Sequence, residues 1–337
     1  MDILIKSFNR PYYLDKCIQS ILTFVIDSEL KILVLDDGTP SEYLNKLQEK
    51  YPIISIVKSE YYQIKSELII SESEGFVPNI PINLWVESAR NASDYFLMLE
   101  DDFWFTKSIN LNNIIFDLEQ NNILMLKLCW LGNSKLIPKS ITKKINNLNI
   151  YKDKLISKNT FLYQLIFQTN KYFIAGFMRF IGLNSQQNLL DYYHIYATAG
   201  AIFNKKYFLS LWENHQNKVD ESLQIKNALI FLNKNKNSNF GYLDQEILKT
   251  GFVSAATNSN KNFENTHIDM FVFNKILNQA WFNDEFIVTN DLEKDLKFAE
   301  IETILEKTNN PNAQKLEWHK WTNAFKKQYT DFGCQID

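Results

Sequence analysis

Three segments decide the fold: Asp2-Ile3-Leu4-Ile5-Lys6, Leu30-Lys31-Ile32-Leu33-Val34-Leu35 and Pro52-Ile53-Ile54-Ser55-Ile56-Val57. Each is a short apolar run of strand length. The first stops at Ser7-Phe8-Asn9-Arg10-Pro11 and the second at Asp36-Asp37-Gly38-Thr39-Pro40, both polar and turn-forming. Between the first two runs, Leu14, Cys17, Ile18, Ile21 and Leu22 recur at i, i+3, i+4, i+7 and i+8, which predicts a helix. A second helix is expected over Ser41 to Lys50, with Ser41 as N-cap. Alternation of strand and helix favours a parallel sheet with right-handed crossovers. In such sheets ligands bind at the carboxyl ends of the strands.

Farther along the chain, residues 79–93 read as a helix with Leu84, Ala89 and Ala92 on its apolar side. The buried run Tyr95 to Leu99 ends abruptly in Glu100-Asp101-Asp102, and Ile123 to Cys129 reads as another buried strand. The Asn- and Lys-rich residues 131–160 read as a loop and as the seam between lobes. Residues 161–183 are apolar, Ala197 to Phe203 is a small-residue strand containing Gly200, and residues 220–240 hold a helix followed by a polar stretch. Tyr242 to Thr250 reads as helical, as does most of the chain from about residue 270. The expected architecture is α/β, with a mostly parallel central sheet and a helical C-terminal extension. Its divisions are expected at 1–105, 106–269 and 270–337.

At 337 residues, with 45% hydrophobic and 22% charged residues, the chain can bury a sizeable core, which excludes wholesale disorder. A net charge of −3 argues against a dedicated nucleic-acid binder. Cys17, Cys129 and Cys334 are too few and too scattered for a disulfide framework or a zinc knuckle, which suits a reducing compartment. Met1 to Lys6 lacks the basic and long apolar regions of a signal peptide, and no apolar window is long enough to span a bilayer. A cytoplasmic protein is expected, with contact to the inner face of a membrane left open.

Three consecutive carboxylates after an apolar run are costly unless solvated or neutralised. On an extended chain Glu100 and Asp102 point to one side. Hard oxygen ligands of this kind suit Mg²⁺ or Mn²⁺; a solvated acidic loop is the alternative. Asp36 and Asp37 fit acceptors for a base N–H or ribose hydroxyls, or simply a turn with Gly38. Ser7, Asn9 and Arg10 add a cation and polar groups, or a loop and helix start. Gly200 permits close approach of a substrate to the backbone, or plain sheet packing. Of the four histidines, His194, His215, His267 and His319, none forms a pair with metal spacing. Tyr172 to Ile181 is too short to span a bilayer and reads as core or as a lid over an acceptor groove. Trp318, Trp321 and Phe325, flanked by lysines, fit an interfacial helix or, as expected here, a face docked on its own domain. Trp104, Trp130 and Trp212 are candidate stacking platforms for a ligand ring.

The ordered motifs Ser7-x-Asn9-Arg10-x-x-x-Leu14-x-x-Cys17-Ile18-x-Ser20-Ile21, Val34-Leu35-Asp36-Asp37-Gly38 and Leu99-Glu100-Asp101-Asp102 resemble the GT-A fold of nucleotide-sugar glycosyltransferases, family 2-like inverting enzymes in particular. The resemblance is specific over roughly residues 1–105 and continues weakly to about 270. It implies that Ser7, Asn9 and Arg10 line the nucleotide pocket and that Asp36 and Asp37 hold base and ribose, usually of a UDP-sugar. It implies a DxD-type motif in which Asp102 binds a divalent Mn²⁺ or Mg²⁺ on the diphosphate, Asp101 faces the ribose or donor sugar, and Glu100 supports the shell. The family's Asn-x-Gly turn is replaced near its place by Pro78-Asn79-Ile80-Pro81. Gly200, in Ala199-Gly200-Ala201-Ile202-Phe203, resembles the strand bordering donor sugar and acceptor. Leu243-Asp244-Gln245-Glu246 resembles the segment that supplies the catalytic base, with Asp244 aligned to it and Glu246 as the fallback. His267 matches a late metal- or diphosphate-binding histidine. The implied partners are a nucleotide-sugar donor and a glycan or glycolipid acceptor, with a role in surface polysaccharide or lipopolysaccharide assembly. A sugar nucleotidyltransferase would want a Gly-rich loop after the first strand, which Ser7 to Pro11 lacks. A receiver-like module is disfavoured by length and by the second acidic cluster. A non-catalytic nucleotide- or sugar-binding protein of the same fold predicts that Asp102 and Asp244 are dispensable.

Overall fold

The computed structural model describes residues 1–27, 29–71, 79–168, 174–180, 182–258 and 266–336. The first half runs β1 (Asp2–Ser7), α1 (Pro11–Phe24), β2 (Val25–Ile26), β3 (Lys31–Asp36), α2 (Ser41–Lys50), β4 (Ile54–Lys58), α3 (Tyr62–Ser71), α4 (Ile82–Asn91) and β5 (Tyr95–Glu100). There follow β6 (Phe103–Phe105), β7 (Ile109–Asn110), α5 (Leu111–Gln120), β8 (Ile123–Lys127), β9 (Lys143–Ile145) and β10 (Leu148–Tyr151). Then come α6 (Thr160–Phe167), α7 (Ile174–Phe180), α8 (Gln186–Tyr192), β11 (Ala201–Asn204), α9 (Lys205–Leu211), α10 (Glu221–Lys234), β12 (Asn239–Leu243) and β13 (Leu248–Thr250). The chain closes with α11 (Met270–Phe282), α12 (Phe298–Thr308) and α13 (Lys315–Asp331).

Nine strands form one sheet in the order β4-β3-β1-β5-β11-β8-β12-β10-β9. Following the pairings across it, only β11 and β10 oppose the common direction, so the sheet is mostly parallel as expected. Ser7 pairs with Asp36 and Lys6 with Glu100, so β1, β3 and β5 end level with one another. Side chains alternate between two cores: Ile3 and Ile5 enter one, Leu4 the other. Burial on both faces is why these strands read as nearly unbroken apolar runs.

Two expectations fail within the sheet. Residues 131–160 are no seam, because they contain the β9–β10 hairpin at the sheet's edge. Lys143 and Lys144 are exposed there while Leu148, Ile150 and Tyr151 are buried, and the composition hides this alternation. Tyr242 to Thr250 is not a helix but the end of β12, a turn and β13. Its apolar residues Leu243, Ile247 and Leu248 are buried from extended backbone. Gly241 sits against Leu148 and Leu126, whose Cδ1 atoms lie 3.0 and 3.1 Å from where a Cβ would stand. A smaller correction concerns α2: Pro40 takes the N-cap position and Ser41 is the first helical residue.

The expected divisions at 105 and 269 are not packing boundaries. One core joins Ile3, Tyr12 and Cys17 to Phe273, Trp281, Trp318 and Trp321. The C-terminal helices clasp the start of α1. Tyr12 donates to Asn274 Oδ1 (2.7 Å), and Trp281 Nε1 donates to Asp15 Oδ2 (2.9 Å). Trp318 is fully buried, stacks on Phe273 and donates Nε1 to the Val253 carbonyl (2.9 Å). The aromatic face of α13 is therefore docked on its own domain. Among the described residues, no helix is long and apolar enough to cross a membrane. Tyr172 and Ile181 lie outside the described residues.

Candidate functional site

Asn9 adopts a left-handed conformation (φ 53°), which turns the chain sharply after β1. Three bonds hold it there. Its N–H donates to Thr39 Oγ1 (2.8 Å), and its carbonyl and Oδ1 accept from Asn278 Nδ2 of α11 (3.2 and 3.1 Å). The turn aims Arg10 back across the strand ends. Its guanidinium donates Nη1 to Asp102 Oδ2 (2.9 Å) and Nη2 to Asp101 Oδ1, and it stands over the Tyr13 ring. The Arg10, Asp101 and Asp102 side chains are only 7%, 3% and 13% exposed. Burial pushes both carboxyls up, against the pull of Arg10. Burial also acts to lower the guanidinium, but the two carboxylates outweigh it and hold Arg10 charged. Asp101 Oδ2 accepts the Phe8 N–H (3.3 Å). Asp102 Oδ1 and Arg10 Nε are buried without a hydrogen-bond partner.

The two aspartates after β3 divide their labour. Asp36 spends both oxygens on its own turn. Oδ1 accepts from the Gly38 and Thr39 N–H groups (3.0 and 2.8 Å), and Oδ2 from Thr39 Oγ1 (2.7 Å). It is fully buried, and burial lifts its pKa to about 6. Asp36 thus builds the loop and has no oxygen turned toward a ligand, contrary to expectation. Asp37 accepts from Ser59 Oγ (2.6 Å) and from Lys65 Nζ, which also donates to the Asn79 carbonyl. On the other side Lys6 donates to the Thr198 carbonyl (2.9 Å), reaches Glu100 Oε1 (3.5 Å) and lies over Trp85. Burial lowers the Lys6 pKa.

A cavity of about 200 Å³ opens among Ser7, Arg10, Asp37, Lys65, Glu100 and Asp101. Lys6 and Trp85 complete the wall. Sequence inspection missed Lys6 and Lys65. The first is a lysine inside an apolar run, and the second lies on a helix with little amphipathic character, so neither stands out locally.

A second cavity, of about 250 Å³, lies behind β6 and β13 and is lined by Trp104, Cys129, Glu246, Lys249 and Asp295. Glu246 Oε1 accepts the Trp130 N–H and Oε2 the Gly132 N–H (2.7 Å). The Gly251 N–H bonds the Asp102 carbonyl (2.9 Å), which ties this region to the acidic motif. Gly200 (φ 69°) is demanded by the fold: an added Cβ would stand 2.8 Å from Phe103 Cε1.

The remaining expected site residues lie elsewhere. Asp244 is exposed on the outer part of the sheet, paired with Lys144 (2.8 Å) and accepting from Asn149 (2.8 Å). These two partners hold its pKa down. It lines neither cavity. His267 is exposed, and its backbone N–H bonds Glu317 (2.8 Å). It does not join Glu100 and Asp102; among the described residues no three potential ligands of the His, Cys, Asp and Glu types gather. Trp130 packs edge-on against Tyr242, and Trp104, Trp130 and Trp212 are all buried. Trp104 lines the second cavity, whereas Trp130 and Trp212 line neither cavity.

The acidic motif fits a divalent cation in one respect: Asp102 Oδ1 is a buried carboxylate oxygen without a partner. The protein offers few other ligands, because Arg10 takes the second oxygen of Asp102 and one of Asp101. This suits Mg²⁺ or Mn²⁺, which keep waters and take substrate phosphates as ligands. Around the cavity Lys6, Arg10 and Lys65 face Asp37, Glu100 and Asp101. Asp102, also bonded to Arg10, makes four carboxylates against three cations, so a diphosphate entering would need a further cation.

No family model matches the chain, and no curated protein matches it. Solved structures do. One is residues 1–349 of TarS from S. aureus, with TM-score 0.43 and 12% identity, covering 92% of this chain and 70% of that one. The same protein in complex with UDP-GlcNAc gives a TM-score of 0.41 and 14% identity, over 92% and 71% of the two chains. Glucosyl-3-phosphoglycerate synthase from Mycobacterium tuberculosis, in complex with Mn²⁺, UDP and phosphoglyceric acid, gives 0.38 and 10%, over 74% and 69%.

Proposed function

We propose that this protein is a nucleotide-sugar-dependent glycosyltransferase whose donor cleft lies at the carboxyl ends of β1, β3 and β5. The observation that carries the proposal is the buried Arg10–Asp101–Asp102 cluster beside the cavity lined by Asp37 and Lys65. Buried charge of this kind is expensive to fold and is a marker of function when it lies in a cleft. The sequence resemblance to GT-A enzymes supports this reading: it implies that Arg10 lines the nucleotide pocket, Asp101 faces the ribose or donor sugar and Asp102 binds the cation on the diphosphate. Asp37 and Lys65 pair an acceptor with a donor at the end of the cavity suited to base and ribose. Asp102 would hold a divalent cation that neutralises charge developing on the departing diphosphate.

In an inverting transfer the acceptor hydroxyl attacks the anomeric carbon and loses its proton to a carboxylate, while the bond from that carbon to the phosphate oxygen breaks and the nucleoside diphosphate leaves. Glu246 is the better-placed carboxylate, because it lines the cavity adjoining the acidic motif, whereas Asp244 faces outward. Trp130 and Gly132 N–H groups fix its orientation. The donor is a UDP-sugar and the acceptor a glycan or glycolipid hydroxyl.

Calorimetric titration with UDP, GDP and CMP, each with and without Mn²⁺, tests this on wild type and Asp102→Ala. The expected result is UDP binding that needs Mn²⁺ and is lost in the variant. Absence of binding by all three nucleotides would sink the proposal.

A further inference from the structure

A third cavity, of about 720 Å³, opens along the outside of β6 and β13. Lys107, Lys249, Lys294, Lys297 and Lys326 line it. They come from four separate segments of the chain: the loop after β6, strand β13, the loop before α12, and α13. Against these five stand Asp291, Glu293 and Asp295 on the lining, and Glu300, which pairs with Lys297 (2.9 Å). Asp295 is already committed: it accepts from Tyr13 Oη (2.7 Å), the Leu296 N–H (2.7 Å) and the Phe252 N–H (2.8 Å). A cationic groove on a chain of net charge −3 is a local departure from the whole.

The groove is continuous with the candidate site. Lys249 and Asp295 line both it and the Glu246 cavity. Lys249 pairs across the strands with Trp104, two residues beyond Asp102. A chain lying in the groove therefore has one end directed at Glu246. The volume lies within the range of ligand clefts, and a concave lining admits a polymer chain rather than a flat bilayer.

We propose that this groove is the acceptor subsite and that it takes an anionic glycan, one carrying phosphate or carboxylate groups. This rests on the glycosyltransferase proposal above. The cations select the acceptor by charge, and screened attraction in the groove raises its local concentration at Glu246.

The test uses fluorescence anisotropy on the full chain with a fluorescein-labelled heparin oligosaccharide, beside a labelled neutral maltooligosaccharide of equal length. Wild type binds the anionic probe, more weakly as salt rises, and does not bind the neutral one. The variant Lys294→Glu/Lys297→Glu/Lys326→Glu loses about tenfold or more in affinity, since three of the groove's five cations reverse. A control, Lys206→Glu/Lys234→Glu/Lys236→Glu, changes net charge equally at exposed positions elsewhere and keeps wild-type affinity. The milder Lys294→Gln/Lys297→Gln/Lys326→Gln, expected to lie between, serves if the reversal variant does not fold. Equal losses in groove and control variants, or equal binding of the neutral probe, would overturn the proposal. So would binding to phosphatidylglycerol vesicles that the soluble anionic probe cannot displace, which would assign the groove to a membrane. A UDP titration in the presence of Mn²⁺ on the same samples separates the two proposals. Probe binding without UDP binding leaves the groove and removes the donor site; UDP binding without probe binding does the reverse.

Discussion

Arg10 is the cation that holds Asp101 and Asp102 together. It is one cation bonded to two carboxylates, with all three side chains nearly removed from solvent. Replacing it by methionine keeps the length of the side chain and removes the charge. Asp101 and Asp102 are then left buried together with no counter-charge between them. Breaking a buried pair in this way costs about 3–5 kcal/mol, because the surviving charge keeps its desolvation penalty. At roughly 2.1 cal/mol/K per residue, the unfolding entropy of this 337-residue chain is about 0.7 kcal/mol/K. A loss of about 4 kcal/mol then lowers Tm by about 6 °C. Scanning calorimetry at neutral pH measures this. Arg10→Lys keeps the charge but not the fork that reaches both carboxylates, and falls between wild type and Arg10→Met. Adding Asp101→Asn to Arg10→Met recovers part of the loss, since one of the two stranded charges is gone. An Arg10→Met protein with unchanged Tm, or one that Asp101→Asn destabilises further, would refute the claim that Arg10 neutralises this pair.

Three further outcomes follow from the same geometry. Asp36 has a pKa of about 6 in the fold, raised by burial above its ordinary value of 3.8. Its stabilising contribution is present below about pH 4 and is lost as pH rises toward 6, so wild type should lose about 3 kcal/mol relative to Asp36→Asn across that window, read by urea denaturation at several pH values. Gly200→Ala forces a side chain into a left-handed position and onto Phe103, which should cost about 1–3 kcal/mol in the same denaturation assay. Glu246→Gln should slow sugar transfer by about a hundredfold or more while leaving UDP affinity intact, whereas Asp244→Asn, losing a surface ion pair, should change stability by about 1 kcal/mol or less and turnover hardly at all; stopped-time assays of product formation distinguish them.

The parts of the fold legible in the sequence are those where local pattern and tertiary environment agree. β1, β3, β4 and β5 read as strands because most of their residues are apolar and each ends in polar, turn-forming residues. The same holds for α1, whose buried residues repeat at helical spacing. The hairpin β9–β10 was hidden because one strand faces water and carries lysines, while its partner buries Asn149 among apolar residues. Segment 242–250 misled because two short strands joined by a turn place apolar residues at spacings a helix also allows. The site divides similarly. Arg10, Asp101 and Asp102 are visible as charges following apolar runs. Which of Asp36 and Asp37 faces the cavity is not, since adjacent carboxylates differ only in where the turn points them. Lys65 becomes part of the site only when α3 brings it against Asp37, 28 positions earlier. Glu246 lines a cavity and Asp244 does not for the same reason: residues two apart on extended backbone still diverge once one enters a turn.

The sheet order explains why the acid cluster must carry its own cation. From β1 the chain moves through α1 to β3 and through α2 to β4, always to one side, while β5 adds on the other side of β1. The loops after β1 and β5 therefore part, and the crevice of an α/β sheet opens between them. Arg10 spans that crevice to residues 91 and 92 positions away. Without a ligand, Arg10 is the cation shared by Asp101 and Asp102, and its two bonds occupy oxygens that a divalent cation would otherwise use. With Arg10 in place, Asp102 Oδ1 is the buried oxygen of the pair left without a partner. Affinity for Mn²⁺ alone should thus be weak, and a bound nucleoside diphosphate, which adds negative charge and phosphate oxygens to the site, should raise it. Linkage makes the effect reciprocal: the factor by which UDP tightens Mn²⁺ equals that by which Mn²⁺ tightens UDP. Paired titrations of Mn²⁺, followed by its paramagnetic effect on water relaxation, with and without UDP, measure both sides of that cycle. Tight Mn²⁺ binding in the absence of nucleotide, unaltered by UDP, would show that Arg10 does not hold the acid pair in the resting protein.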